Sequence, residues 1–208
     1  MLVIGATGET GRETVAEALR RGIPVTALVR RVEDAATFPA GVAVIVGDAR
    51  DQAAVVRALS GQDVVVSTLG ARKGSPVGTV RSDATRTIVA AMGQAGVQRI
   101  VAVSSIGVGE SVAHMSRGAR FMWPRIVGRD RLAEVERMER ILASSGLDWT
   151  VVRPPRLMSG PATGKVQVGA TVPTHSRSQL DRADLAHVLV DLATSGDAAR
   201  SAVTAVAA

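Results

Sequence analysis

Three evenly spaced glycines near the start of the chain have the pattern of a phosphate-binding turn. Gly5, Gly8 and Gly11 follow the apolar run Leu2–Ile4 and precede a helical stretch that begins at Glu9. In such a turn the first glycine allows a sharp bend, the second lets the backbone approach a pyrophosphate, and the third lets helix and strand pack closely. The N–H groups at the helix start then bind the anion. A glycine-rich turn without a ligand is the alternative, but the flanking strand and helix favour dinucleotide binding.

Two arginines, Arg30 and Arg31, end the second apolar run and indicate which dinucleotide is bound. A site that prefers NAD usually carries an acid here for the ribose 2′-hydroxyl. A guanidinium instead binds a 2′-phosphate through two hydrogen bonds. We therefore expect NADP(H), with NAD(H) as the alternative because Glu33 and Asp34 are near enough in sequence to reach the ribose. A solvated strand end is the other interpretation of the two arginines.

Short apolar runs alternate with longer amphipathic stretches, and together they position this turn. The runs predict buried strands at Leu2–Ile4, Pro24–Val29, Val42–Val46, Val64–Thr68, Arg99–Ser104 and Trp149–Val152. The amphipathic stretches predict helices at Glu9–Arg21, Asp51–Leu59, Val80–Ala95, Arg129–Ser144 and Arg182–Ala193. This order predicts an α/β fold: one Rossmann-type doubly wound domain over residues 1–208, with a mainly parallel sheet flanked by helices.

Three features near the end of this pattern are expected to complete the fold. Asp181 is the predicted N-cap of the last helix, with Asp184 at its third position, and Ser201–Val206 predicts a final edge strand. The irregular segments Gly107–Gly128 and Pro154–Val172 follow predicted strands. Loops at the carboxyl ends of parallel strands form the ligand crevice, so we expect these segments to line a substrate pocket. A mobile lid or an interface patch is the alternative for the first of them.

The composition restricts the class of protein. The chain has 208 residues and no cysteine, which excludes disulfides, thiolate metal sites and cysteine nucleophiles. No apolar run approaches the roughly 20 residues that cross a bilayer. A core strand follows Met1 directly, so we expect no signal peptide, no membrane partner and a cytoplasmic location. The net charge of +6 allows a polyanion partner. However, the arginines are scattered and aromatic residues are only 2%, so we expect no nucleic acid and predict no metal.

Several motifs in a fixed order resemble one known family. They are Gly5 to Gly11, Gly47-Asp48, Thr68-Leu69-Gly70, Ile88 to Met92, Ser104-Ser105, Ser144 to Pro155 and Pro161 to Gly164. Together they resemble the atypical short-chain dehydrogenases of the NmrA-like NAD(P)-binding family, closest to the biliverdin reductase B and flavin reductase branch. The resemblance runs from Met1 to about Val190, and Ser144 to Pro155 is its most specific part.

This resemblance implies roles for residues at the strand ends. It places Asp48 beside the adenine, Leu69 and Gly70 at the nicotinamide ribose, and Arg72 at the pocket mouth. The implied cofactor-binding residues are Gly5, Thr7, Gly8, Glu9, Thr10, Gly11, Arg30, Arg31, Asp48, Ala49, Thr68, Leu69, Gly70, Ser104, Pro154 and Pro155. The implied catalytic residues near the nicotinamide are Ser105, Ser104 and Arg72. Ordinary strand-end hydrogen bonding is the alternative for the two serines.

The chain also departs from this family in its acid–base residues. It has no tyrosine, so the Tyr-x-x-x-Lys proton donor of the wider superfamily is absent. Arg156 stands where the flavin reductase branch often has histidine, and Val135 stands at the other such position. His187 is expected to be structural, whereas His114 lies in the variable loop and is a weaker pocket candidate.

The missing tyrosine favours one class of acceptor. An alkoxide is strongly basic, so carbonyl reduction needs a positioned proton donor. A reduced flavin or quinone anion is delocalised, and water can protonate it. Arg72 and Arg156 are expected to stabilise developing negative charge or hold a flavin phosphate, and Trp123 and Phe121 to stack on a planar acceptor. A hydrophobic lid packed on the core is the alternative for the two aromatic residues.

The sequence therefore predicts an NADPH-dependent oxidoreductase that transfers hydride to a small planar acceptor, a flavin or a quinone. The main alternative is a non-catalytic NADP(H)-sensing regulatory protein of NmrA type, which binds the cofactor without turnover. An epimerase that uses bound NAD(P) transiently is disfavoured, because it too needs a tyrosine base. We expect a monomer or a weak homo-oligomer.

Overall fold

A mixed sheet of eight strands forms the centre of the computed structural model, which describes residues 1–70 and 78–208. Its strand order is β3-β2-β1-β4-β5-β6-β10-β8, and within the described residues only β8 runs antiparallel to its neighbour. The strands are β1 (Leu2–Ile4), β2 (Val25–Val29), β3 (Val42–Val46), β4 (Val64–Ser67), β5 (Arg99–Val103), β6 (Asp148–Arg153), β8 (Val166–Gly169) and β10 (Ser201–Ala207). A separate two-stranded sheet pairs β7 (Arg156–Met158) with β9 (Gln179–Asp181).

Helices cover both faces of the sheet. They are α1 (Glu9–Arg20), α2 (Gln52–Leu59), α3 (Val80–Ala95), α4 (Arg117–Val127), α5 (Arg129–Ala143) and α6 (Arg182–Ser195), with 3-10 turns at Val32–Thr37 and Gly109–His114. α1 and α6 pack together on one face, and α2, α3 and α5 pack on the other. The predicted doubly wound α/β architecture is thus confirmed. The strand order reverses between β1 and β4, and in such sheets ligands bind in the crevice at this point.

One local prediction near the end of the chain is wrong. The final strand β10 is not an edge strand, because it lies between β6 and β8 and pairs with both. Asp181 is the N-cap of α6, as predicted, although its side chain caps no described backbone N–H. Asp184 stands at the third position of α6, as predicted, and its carboxylate accepts hydrogen bonds from the backbone N–H groups of Thr163 and Gly164, each at 2.9 Å, so it fastens the preceding loop to α6.

The two irregular segments contain more regular structure than the sequence predicts. The segment 107–128 includes α4, and the segment 154–172 includes β7 and β8. A third apolar cluster lies beneath α4, and Trp123 is its largest member. The indole Nε1 of Trp123 donates to the carbonyl of Ile106 at 2.7 Å. A Cβ on Gly107 would lie only 2.5 Å from the Cδ1 atom of this indole ring. Gly107 has a φ of +88°, which together with this contact explains why a glycine is needed there.

Candidate cofactor and acceptor site

The glycine turn between β1 and α1 is closed by contacts that leave no room for side chains at two of its glycines. Gly5 has a φ of +85°, and the N–H of Gly8 donates to its carbonyl at 3.0 Å. A Cβ on Gly11 would lie 2.2 Å from the oxygen of Gly5. The Thr68 hydroxyl donates to this same oxygen at 3.2 Å and ties the turn to the end of β4. The turn is therefore held in place from both the helix and the neighbouring strand.

The start of α1 offers backbone N–H groups to an anion. Gly8 is its N-cap, and no described side chain caps this helix. Uncapped N–H groups and the helix dipole together favour a bound phosphate. The carboxylate of Glu9 stands beside these groups, but the guanidinium of Arg182 from α6 pairs with it at 2.7 Å. This ion pair offsets the negative charge that would otherwise repel a pyrophosphate.

An arginine cluster lies at the carboxyl ends of β2 and β3, the edge predicted for the adenosine half of a dinucleotide. Arg31 is paired with Asp34 at 2.9 Å, and this ion pair lowers the pKa of Asp34. Arg30 is exposed and makes no hydrogen bond or ion pair with any residue that the structure describes. Arg12 is a third member that the sequence analysis missed. It follows Gly11 and donates to the Thr37 hydroxyl at 3.3 Å.

Asp48, at the end of β3, is also neutralised by an arginine. Arg50 donates to both of its carboxylate oxygens, at 3.0 and 2.7 Å. These hydrogen bonds, aided by the charge of Arg30, lower the pKa of Asp48 to about 2. Ala49 between them is buried in the core on the α2 side. Because Asp34 and Asp48 are both paired, the arginine cluster keeps unneutralised positive charge at this edge.

A buried polar network joins the carboxyl ends of β5 and β6. The hydroxyl of Ser104 donates to the carboxylate of Glu139 on α5. Arg153 donates to both oxygens of that carboxylate, at 3.0 and 2.6 Å, and also to Glu110 at 3.0 Å. Burial lowers the pKa of Arg153, but the hydrogen bonds and charges of Glu139 and Glu110 outweigh it, so the pKa is raised overall.

The other residues predicted at this edge differ in their burial and in whether their polar groups are already hydrogen-bonded. The Ser105 hydroxyl donates to the carbonyl of Ile106 at 3.0 Å, and the Ile106 N–H donates to the carbonyl of Pro154 at 3.1 Å. Pro155 is buried, whereas Gly70 is exposed. Arg72, predicted at the pocket mouth, lies outside the described residues.

Three side chains proposed for acceptor binding have different surroundings. Trp123 is only 7% exposed and packs inside the cluster under α4, so its stacking on an acceptor is corrected to a core role. Phe121 is 60% exposed and is covered on one face by the guanidinium of Arg125, 3.8 Å from the ring centre. Arg156 is exposed on β7. His187 lies 3.4 Å from Glu17 and bonds the carbonyl of Ala183, which agrees with a structural role.

These features fit a dinucleotide. The cradle at Gly5 and Gly11 excludes side chains, the α1 start is uncapped, and Arg30 is an unpaired cation at the adenosine edge. When bound, the nicotinamide cofactor supplies a hydride from its C4 carbon. The chain itself would contribute the N–H groups at the start of α1 for the phosphates, the positive charge of Arg30, and the polar network at the ends of β5 and β6.

A parallel sheet that reverses at β1 and β4 beside a glycine turn defines a Rossmann-type dinucleotide-binding protein. Residues 5–196 match the NAD(P)H-binding family, and the chain belongs to that family. The family predicted from the motifs is thus confirmed. No helix within residues 1–70 and 78–208 is long and apolar enough to cross a membrane.

Similar proteins include both curated sequences and solved structures. An uncharacterized chloroplastic protein of Arabidopsis thaliana is 30% identical over 80% of this chain and 62% of its own length. The (4-alkanoyl-5-oxo-2,5-dihydrofuran-3-yl)methyl phosphate reductase of Streptomyces griseus is 35% identical over 76% of this chain and 48% of its own. The structure of ChuY, an anaerobillin reductase from Escherichia coli O157:H7, has a TM-score of 0.83 at 29% identity and covers 99% of this chain and 96% of its own. The chain thus spans less than two thirds of the two curated relatives.

Proposed function

We propose that this protein is an NADPH-dependent oxidoreductase that transfers hydride to a small planar acceptor, a flavin or a quinone. The observation that carries the proposal is the glycine cradle at the uncapped start of α1, with an unpaired Arg30 at the adenosine edge. A ligand with a pyrophosphate and a 2′-phosphate matches both charges at once. Two of the similar proteins above are named as reductases, which supports the reaction type.

The residues at the nicotinamide end support an acceptor that needs no strong acid. The Ser104 hydroxyl already donates its hydrogen bond to Glu139, and the chain has no tyrosine. An alkoxide would require a positioned donor there, whereas a delocalised flavin or quinone anion takes its proton from water. The role of the chain is then to hold the two ring systems in contact and to exclude competing reactions.

Steady-state oxidation of NADPH, followed by its absorbance, tests this function with FMN, riboflavin and a simple quinone offered in parallel. Saturable turnover with at least one acceptor is expected, together with a clear preference for NADPH over NADH. The matched negative control is Gly8→Ala, whose added methyl would stand where a pyrophosphate approaches the turn. Tight binding of NADPH with no turnover in the same preparation would refute the reductase.

An NADP(H)-sensing regulatory protein is the second candidate, and one observation favours it. The Ser104 hydroxyl, which the family resemblance places near the nicotinamide, has its proton committed to Glu139, while the cofactor cradle is intact. Such a protein binds NADP+ and NADPH and reports their ratio to a partner. Dissociation constants for both forms, combined with the turnover assay, separate this candidate from the enzyme.

A further inference from the structure

Arg81, in the first turn of α3, brings a positive charge to the crevice on which neither proposed function depends. Its Nη2 atom lies 3.1 Å from the position that a Cβ on Gly70 would occupy. Gly70 is exposed and follows the end of β4, where the strand order reverses. The guanidinium therefore lies at the carboxyl edge of the sheet, the edge at which ligands bind in this architecture.

The guanidinium has no counter-charge of its own. Its Nη1 atom is buried and makes no hydrogen bond to any residue that the structure describes. Within the same residues no carboxylate lies within ion-pair distance of Arg81. The side chain is partly accessible while this nitrogen is hidden, so part of the guanidinium remains open to a ligand.

The two acids whose charges act on Arg81 are committed to other partners. Glu134 accepts from the N–H and the hydroxyl of Ser82, at 2.8 and 3.0 Å, and pairs with Arg137 at 3.1 Å. Glu139 accepts from Ser104 and Arg153. Their charges reach Arg81 only at longer range.

Arg81 nevertheless stays protonated. Desolvation, together with the positive charge of Arg131, lowers the pKa of the guanidinium to about 10, while the charges of Glu134 and Glu139 act to raise it. The group is therefore a cation at neutral pH. A buried cationic nitrogen that lacks a partner is unfavourable, and each such group in a native structure requires an explanation, of which a ligand is one.

We propose that Arg81 binds an oxyanion, a phosphate or a carboxylate, of the cofactor–acceptor pair held at the ends of β4 and β5. This rests on the proposed function for the identity of the pair. A guanidinium binds such groups through two parallel hydrogen bonds. Gly70 has no Cβ to obstruct the approach beside Nη2. The oxyanion comes either from the phosphates of the cofactor or from an acid group on the acceptor.

The test compares Arg81→Met and Arg81→Lys with Arg86→Met, an exposed arginine on the same helix that pairs with Asp83. NADP+ affinity is measured by calorimetry. The binding of FMN and of riboflavin, which differ only by a phosphate, is measured by fluorescence quenching on NADP+-saturated protein. If the acceptor supplies the oxyanion, Arg81→Met weakens the binding of FMN roughly 10- to 100-fold and leaves the affinities for riboflavin and NADP+ unchanged. If the cofactor supplies it, NADP+ itself weakens by that factor.

Arg81→Lys keeps the charge and is expected to retain part of the lost affinity. It also remains informative if Arg81→Met does not fold. Affinities for all three probes within about twofold of those of Arg86→Met would overturn the oxyanion site. The proposed function fails separately: wild-type protein that binds NADP+ through Arg81 but oxidises no NADPH would refute the reductase and leave this site intact.

Discussion

The hydroxyl of Ser104 donates to the carboxylate of Glu139, and this hydrogen bond links the end of β5 to α5 at the end of the crevice predicted for the nicotinamide. The same carboxylate receives two hydrogen bonds from Arg153 at the end of β6. A carboxylate with these three donors holds the two strand ends together. Ser104 is thereby fixed as a hydrogen-bond donor to the protein, so its proton is committed to Glu139.

Glu139→Ala is expected to destabilise the fold strongly. Arg153 is only 6% exposed and would keep just the rim carboxylate of Glu110, which is 81% exposed. Removing one partner of a buried ion pair typically costs about 3–5 kcal/mol. Urea unfolding measures this loss. Glu110→Ala removes the exposed partner and is the control, with an expected cost of about 0–1 kcal/mol. Equal losses for the two variants would contradict the assigned role of Glu139.

Gly8→Ala and Gly11→Ala are expected to separate cofactor binding from folding. Gly8 has a φ of −73°, which alanine adopts, and a Cβ there would lie 3.3 Å from the Gly5 oxygen, so alanine requires a shift of only a few tenths of an ångström. The added methyl stands where a pyrophosphate approaches, and NADP+ affinity should fall by at least about tenfold. A Cβ on Gly11 meets the Gly5 oxygen at 2.2 Å and should cost about 1–3 kcal/mol of stability.

Calorimetric NADP+ titration and thermal unfolding of both variants check this difference. Gly93→Ala on α3, where an added Cβ meets nothing within 4 Å, is the matched control: it should leave NADP+ affinity unchanged and raise stability by up to about 1 kcal/mol, because alanine is the better helix former. Unchanged NADP+ affinity in Gly8→Ala would show that the pyrophosphate does not lie on this turn.

The sequence predicts the regular elements well because their signals are local. The strand bounds of β1 and β3 and the helix bounds of α3 agree with the apolar pattern residue for residue. The errors concern long-range partners. A terminal run such as Ser201–Ala207 has the same pattern at an edge as in the interior, and only β8 on its far side makes it internal.

The candidate site shows the same difference between local signals, which the sequence contains, and long-range contacts, which it does not. The glycine turn is one contiguous segment with a fixed spacing, so the sequence is sufficient to find it. An indole ring such as that of Trp123 can stack on a planar ligand, and only its packing in the apolar cluster beneath α4 reveals that it is buried. Arg81 carries no sequence signal either, because its missing partner becomes visible only when Glu134 and Glu139 are seen to be engaged elsewhere.

Acid is expected to weaken the fold through Glu17 on α1. This buried carboxylate is held by Arg20 and Arg21 and faces His187, and these hydrogen bonds and charges lower its pKa to about 2 from 4.5. A depressed folded-state pKa stabilises the protein above about pH 4.5, and this stabilisation is lost as the pH falls toward 2. The contribution is about 1–3 kcal/mol.

Chemical unfolding of Glu17→Gln between pH 7 and pH 3 measures this contribution. The variant should be less stable than wild type at pH 7 and should lose less stability in acid. Glu13→Gln, an exposed position on the same helix, is the control and should change the free energy of unfolding by less than about 0.5 kcal/mol. Parallel pH profiles for wild type and Glu17→Gln would argue against this linkage.

Arg30 is expected to determine the preference for NADP(H). It has no described partner, whereas Arg31 is already paired with Asp34, so Arg30 is the freer group to bind a 2′-phosphate. Loss of a charge-assisted hydrogen-bond pair of this kind costs about 1.5–3 kcal/mol, roughly 10- to 100-fold in affinity. Arg30→Ala should therefore weaken NADP+ by that factor and leave NAD+ unchanged, with a smaller effect for Arg31→Ala. Calorimetry with both nucleotides measures the preference, and Arg57→Ala on the exposed side of α2 is the control. If the double variant of Arg30 and Arg31 retained the full preference for NADP+, the 2′-phosphate would have to bind elsewhere, and Arg12 would be the next residue to replace.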